Sequence, residues 1–158
     1  MTSTEKKSKV KIVIQQCLSA RLELPDDEGQ LTIGRGMIAF VCFLAGADEE
    51  DALKAADIVC KVRLSETDDA GNSKRVAILD LPGDLLIIPQ ATLGGKLKGK
   101  ALQYHSNIEK DFGRKLYGAF CEKLATIMDE GRLQKGFYGA RQVLSMETNG
   151  PFTHVLEL

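Results

Sequence analysis

Apolar and polar residues alternate through residues 9–24 (KVKIVIQQCLSARLEL), with Val10, Ile12 and Ile14 on one parity and Leu18, Leu22 and Leu24 repeating it. A period of two predicts a strand with one buried face, here broken near Gln15-Gln16 where two amides interrupt the pattern. Pro25-Asp26-Asp27-Glu28-Gly29 reads as a turn, because proline fixes φ and glycine accepts φ > 0. The strand pattern resumes over residues 30–33 and bends at Gly34-Arg35-Gly36. Residues 37–44 are then continuously apolar, as expected of a buried central strand.

At Asp48-Glu49-Glu50-Asp51 the period changes. Carboxylates gathered at this point favour the positive end of a helix dipole, and Leu53, Ala56, Val59, Cys60 and Val62 follow at helical spacing. Residues 64–74 form a polar turn, and residues 76–81 and 85–89 are two short strands joined by Pro82-Gly83-Asp84 in a hairpin-like connection. Residues 94–100 (GGKLKGK) are too glycine-rich for an element interior and read as a basic loop. The clearest helix covers residues 108–130, with Phe112, Leu116, Phe120, Leu124 and Ile127 on one face and Gly131 as the stop. Residues 135–138, 140–148 and 151–158 read as terminal strands. Strands in runs, without regular βαβ alternation, predict an α+β fold: a curved, mixed or mostly antiparallel sheet carrying two main helices.

Composition narrows the class without naming a function. At 158 residues and 17.3 kDa the chain fits one domain, with residues 1–8 as a flexible tail and residues 9–158 as the folded unit. A hydrophobic share of 44% and a charged share of 27% exclude a disordered or fibrous chain. No window approaches the ~20 apolar residues of a membrane span. Nor does an apolar stretch follow Lys6-Lys7 as a signal peptide requires, so the default location is the cytoplasm. Cys17, Cys42, Cys60 and Cys121 lie singly in apolar segments and read as reduced, buried thiols. With only His105 and His154 to join them and no Cys-x-x-Cys pair, a structural metal is not expected. A net charge of -1 means that any nucleic acid must be held by a local patch.

Two segments are candidates for chemistry. Pro89-Gln90-Ala91-Thr92-Leu93 ends a strand against the glycine loop, where a hydroxyl or backbone amide can face a ligand on a rigid support. A strand-end threonine bonding its own backbone explains Thr92 as well. Asn149-Gly150-Pro151-Phe152-Thr153-His154 contains a Gly-Pro bend that is also open to reading as a plain turn. Neither histidine has a sequence-visible orienting carboxylate, and Asp26-Asp27 and Asp68-Asp69 sit in turns, so no acid/base pair stands out. Gly34-x-Gly36 leads into a strand and is no dinucleotide fingerprint. Lys96, Lys98 and Lys100 form a positive rim beside Thr92 that suits a phosphate-bearing substrate, or else a solvated loop.

On these two segments the chain resembles the D-aminoacyl-tRNA deacylase family, small homodimeric esterases that remove wrongly attached amino acids from tRNA. The family's Ser-Gln-x-Thr and Asn-x-Gly-Pro-x-Thr signatures correspond to Pro89-Gln90-Ala91-Thr92 and to the run from Thr148 to Thr153, and Ile14-Gln15-Gln16-Cys17 is similar to its opening strand. Pro89, Ala91 and Gln16 depart from the usual serine, phenylalanine and arginine, and with Tyr104-His105-Ser106-Asn107 they resemble the animal-type paralogue. The resemblance implies Thr92 and Gln90 at the reaction centre and Pro89, Ala91, Asn149, Gly150, Pro151, Gln16 and Phe137 around the substrate. It implies a trans Gly150-Pro151 peptide, loosened because Gln16 replaces a bracing arginine, and supplied to the pocket across a homodimer interface. Lys96, Lys98, Lys100 and Arg141 are the candidates for the tRNA backbone, and no cofactor or metal is implied. The activity implied is hydrolysis of D-aminoacyl-, glycyl- and L-alanyl-tRNA, the last on a threonine tRNA, with the substrate's own 2′-hydroxyl assisting water. A strictly D-selective deacylase and a non-catalytic RNA-binding dimer are the alternatives.

Overall fold

The structure, a computed structural model, describes residues 7–66, 75–80 and 83–158. Strands β1 (Val10–Cys17) and β2 (Ser19–Glu23) are one pattern bent at Leu18. The break expected at Gln15-Gln16 is absent, because both residues pair with β4 in unbroken register. A short 3-10 turn, Pro25–Asp27, leads to β3 (Gln30–Ile33) and β4 (Gly36–Phe43). Since β1 pairs antiparallel with β4 and β2 with β3, the first half of the chain is a bent two-stranded ribbon whose arms belong to different sheets.

Helix α1 (Glu49–Lys61) starts where the carboxylates predict. The Asp48 side chain accepts from the Asp51 N–H at 3.0 Å, and the Asp51 carboxylate accepts from the Asp48 N–H at 2.9 Å. The minimal strands β5 (Ser65–Glu66) and β6 (Arg75–Val76) pair with each other across residues 67–74, which lie outside the described residues. The strand expected at 76–81 ends at Val76 among the described residues, and the expected hairpin-like connection falls partly on residues 81–82, which lie outside them. Strand β7 (Asp84–Pro89) runs parallel to β4.

The segment expected as a basic loop is a hairpin of β8 (Lys96–Lys98) and β9 (Ala101–Gln103). Its two-residue turn begins at Gly99 with φ of +62°, a value that costs a glycine nothing. Helix α2 covers Lys110–Ile127, shorter at both ends than expected: the Glu109 carboxylate caps it and Met128 ends it, before Gly131. Leu116, Phe120 and Leu124 of its expected apolar face are buried, while Phe112 is exposed. Strand β10 (Leu133–Lys135) precedes the expected 135–138 and pairs parallel with β7; β11 (Val143–Glu147) and β12 (Thr153–Glu157) complete the chain. Just ahead of β1 the Ser8 hydroxyl donates to the Leu158 carbonyl at 3.3 Å; residues 1–6 lie outside the described residues.

The result is the expected α+β arrangement: a mixed five-stranded sheet, β10-β7-β4-β1-β12, and a three-stranded antiparallel sheet, β11-β2-β3. Alternation along β4 and β7 divides the core. Met37, Ala39, Val41 and Phe43 with Leu85 and Ile87 face the helices, where Phe43 meets Phe120 edge-on at 6.0 Å. Ile38 and Phe40 with Leu86 and Ile88 face the smaller sheet and its Ala20, Leu22 and Ile33. Truncating a fully buried aromatic such as Phe120 costs about 3 to 5 kcal/mol.

Burial pushes the thiols of Cys17, Cys60 and Cys121 up from 9.0 to about 11. A group whose folded value lies above its unfolded one leaves stability intact below the unfolded value and removes it as pH rises toward the folded one. The urea midpoint is therefore expected to fall steeply between pH 9.0 and about 11, and less steeply in Cys60→Ala. A flat midpoint across that window contradicts the assignment.

Candidate active site

Parallel pairing brings the C-terminal ends of β4 and β7 side by side, with Val41 opposite Pro89. Such ends are where open sheets leave room for ligands. The Gln90 N–H donates to the Val41 carbonyl at 2.8 Å, and the chain then tightens into a 3-10 turn over Ala91–Gly94. The Gln90 side-chain Nε2 donates to Thr92 Oγ1 at 2.8 Å, and Asn107 Nδ2 holds the Ala91 carbonyl at 2.8 Å. The N–H groups of Ala91 and Thr92 have no acceptor among the described residues.

These residues line a cavity of about 470 Å³ together with Val41, Cys42, Phe43, Pro89, Ile108, Lys110, Tyr138, Gly139 and Ala140. No carboxylate or imidazole is among its lining residues. Burial raises both the Cys42 thiol and the Tyr138 phenol, so each stays protonated near neutral pH. What the cavity offers is two backbone donors, an amide and an amide-held hydroxyl on a rigid strand end. That set can stabilise an oxygen that gains negative charge but has no side chain suited to take a proton. His105 lines a separate recess, and His154 packs edge-on against Phe152 at 4.5 Å.

The second candidate segment is held by β1. Gln15, 7% exposed, donates through Nε2 to Thr148 Oγ1 at 3.0 Å and to the Phe152 carbonyl at 3.3 Å, and accepts from the Thr153 hydroxyl. The Gln16 side chain does not brace the segment: it turns to the opposite face of β1 and donates to the Leu64 carbonyl at 2.7 Å, leaving only its backbone N–H on the Phe152 carbonyl. The Gly150–Pro151 peptide is trans. Asn149, Gly150 and Pro151 do not line the cavity of their own chain.

The family described as D-Tyr-tRNA(Tyr) deacylase matches residues 13–157. The D-aminoacyl-tRNA deacylase 2 of Gallus gallus is 49% identical over 92% of this chain and 93% of that protein, and the same-named protein of Homo sapiens 48% identical over 92% of each. A solved structure described as a probable eukaryotic D-amino acid tRNA deacylase superposes with a TM-score of 0.86 at 25% identity, covering 95% of this chain and all of that one. The chain belongs to the D-aminoacyl-tRNA deacylase family. It is thereby one of a group of hydrolases acting on ester bonds, and its vertebrate relatives place it with the animal-type paralogue.

Of the residues singled out from sequence, Pro89, Gln90, Ala91 and Thr92 meet in the cavity at the ends of β4 and β7. Phe137 lines an adjoining recess, and its place in the cavity is taken by Tyr138. Lys96 lines a third recess with Lys7, Lys11 and His105, while Lys98 and Lys100 are exposed on the hairpin; none of the three lysines reaches the Thr92 cavity. Arg141 is exposed next to Ala140 at the cavity edge. Gln15, Asn107, Lys110 and Tyr138 were not singled out. Gln15 carried no parity signal, since it alternates with the apolar Val10, Ile12 and Ile14 and shares the parity of the half-buried Lys11 and Val13; the other three are ordinary loop and helix-start residues in sequence.

Replacing Gln15 with alanine removes its bonds to Thr148, Phe152 and Thr153. We expect a stability loss of roughly 1 to 3 kcal/mol. Amide exchange should quicken locally at residues 148–153; unchanged exchange there would show that the segment is held by other means.

Proposed function

We propose that this chain hydrolyses the ester joining an amino acid to the terminal ribose of mischarged tRNA, accepting D-aminoacyl, glycyl and L-alanyl groups, the last on a threonine tRNA. The observation that carries the reading is the pair of unpartnered N–H groups at Ala91 and Thr92 in a cavity without a basic side chain suited to take a proton. The ester carbonyl oxygen accepts from these two donors, whose hold tightens as charge builds on it. Donors of this kind contribute on the order of a hundredfold or more each.

Water attacks the carbonyl carbon, and the vicinal 2′-hydroxyl of the ribose relays its proton to the departing 3′ oxygen. The carbon–oxygen bond breaks to give the free amino acid and an intact 3′ end. Gln90 fixes the Thr92 hydroxyl at the edge of the site, and Pro89 and Ala91 shape its floor.

The partner in a homodimer supplies Asn149, Gly150 and Pro151 as the gate. Support comes from their absence from the lining of their own chain's cavity. Further support is the apolar face left open beside β12, where Val155 is 57% exposed and register-paired with Val13, and the exposed Val143 and Met146 of β11. The trans Gly150–Pro151 peptide favours the broader acceptance over strict D-selectivity. Free, buried cysteines accord with work in the cytoplasm, and no helix among the described residues is long and apolar enough to cross a membrane. Arg141 is retained as a contact to the tRNA backbone near the cavity, and Lys96, Lys98 and Lys100 as contacts to the tRNA away from its single-stranded 3′ end.

A panel of D-aminoacyl-, glycyl- and L-alanyl-tRNA tests the reading, with release expected from all three. Release from the D-aminoacyl substrate alone would establish the strict enzyme, and tight tRNA binding with every ester left at the uncatalysed rate would establish a binding protein.

The raised thiol and phenol also fix a pH dependence. Between about pH 6 and 8.5 the profile of kcat/KM should show only the substrate's α-amino ionisation, moving when the amino acid is changed. A break fixed in pH across substrates and lost in Cys42→Ala would mean that a thiolate takes part.

A further inference from the structure

The Thr92 cavity does not end at Tyr138. A second recess of about 490 Å³ shares Tyr138 and Ala140 with it and continues along α2 and β10 past Arg114, Tyr117, Lys135 and Phe137. Its floor is aromatic: the Tyr117 and Tyr138 rings lie 5.6 Å apart, tilted by 35°, and Phe137 is 41% exposed. Its edge is cationic. The Arg114 guanidinium sits over the Tyr138 ring at 5.6 Å, and neither Arg114 nor Lys135 pairs with a carboxylate among the described residues. No aspartate or glutamate lines the recess.

Aromatic faces that take bases, edged by unpaired cations that take phosphates, are what a single-stranded nucleic acid requires. Building on the deacylase reading above, we propose that this second recess binds the single-stranded 3′ end of the tRNA. The terminal nucleotide's ester enters the Thr92 cavity, the preceding base lies against Phe137 and Tyr138, and the phosphates between them rest on Arg114 and Lys135. The strand therefore leaves the site over α2 and not across the β8–β9 hairpin. Continuity decides between the two routes: the recess holding Lys96 shares no lining residue with the Thr92 cavity, and the hairpin's exposed large side chains are the aliphatic Leu97 and Leu102.

The test compares D-alanyl-tRNA with 3′-O-D-alanyladenosine, which keeps the ester and the terminal nucleoside but lacks phosphates and preceding bases. The readout is the ratio of the two kcat/KM values in the unchanged protein, in R114Q/K135Q and in K96Q/K98Q/K100Q. In R114Q/K135Q the ratio should fall roughly tenfold or more. The salt dependence of kcat/KM for the tRNA should flatten by about 0.7 in log–log slope for each phosphate that is no longer neutralised. Arg114→Lys, which keeps the charge, should restore most of the ratio and so separates the effect from misfolding. A ratio unchanged in R114Q/K135Q, or one that falls only in the hairpin variant, overturns the proposal. Hydrolysis of the adenosine ester by the unchanged protein establishes the deacylase reading independently; hydrolysis of neither substrate overturns that reading and this proposal together.

Discussion

The close approach of Gly36 to Asp84 fixes where everything else falls. A Cβ on Gly36 would lie 1.9 Å from the Asp84 carbonyl oxygen, so only glycine lets β4 and β7 start side by side. Asp84 then secures the bend before β4: its carboxylate accepts from the Gly34 N–H at 3.0 Å, and its own N–H donates to the Arg35 carbonyl at 3.0 Å. From that start the parallel register runs to Val41 opposite Pro89. One residue of slip would exchange the two core faces of β7 and carry the Ala91 and Thr92 donors away from the cavity.

A site built in this way works by placement more than by reactive side chains. Its titratable lining groups are Lys110 and two groups whose burial keeps them neutral, so the protein contributes fixed dipoles and shape. Backbone donors anchored by a strand end need no reorganisation as charge develops, which is where such donors gain their effect. The segment from Thr148 to Thr153 follows the same logic, since Gln15 holds it through backbone and hydroxyl contacts and no charge is buried for the purpose.

Local patterns were legible where one residue's chemistry decides the outcome. Carboxylates at Asp48 to Asp51 marked the start of α1, alternation marked β1 to β3 and an unbroken apolar run marked β4, and the motif residues Gln90 and Thr92 fell on the cavity lining. Patterns failed where the partner was distant. The pairing of β7 with β4 instead of a hairpin neighbour depends on two residues 48 positions apart in the chain, Gly36 and Asp84. The glycines of residues 94–100 read as loop, yet one supplies a tight turn and the flanking lysines pair as strands. Gln15 and Gln16 are adjacent and identical, and only their opposite sides of β1 decide that one holds the Phe152 carbonyl while the other binds Leu64.

By itself the sequence determined the fold class, the two helices and the two segments that matter, because periodicity, capping and motif chemistry are properties of neighbours along the chain. Tertiary structure alone decided the parallel register, the amide that holds residues 148–153, the distance of Gly150-Pro151 from the Thr92 cavity of the same chain and the second recess beside Tyr138. Those features come from residues far apart in sequence, and no local pattern records which of them meet.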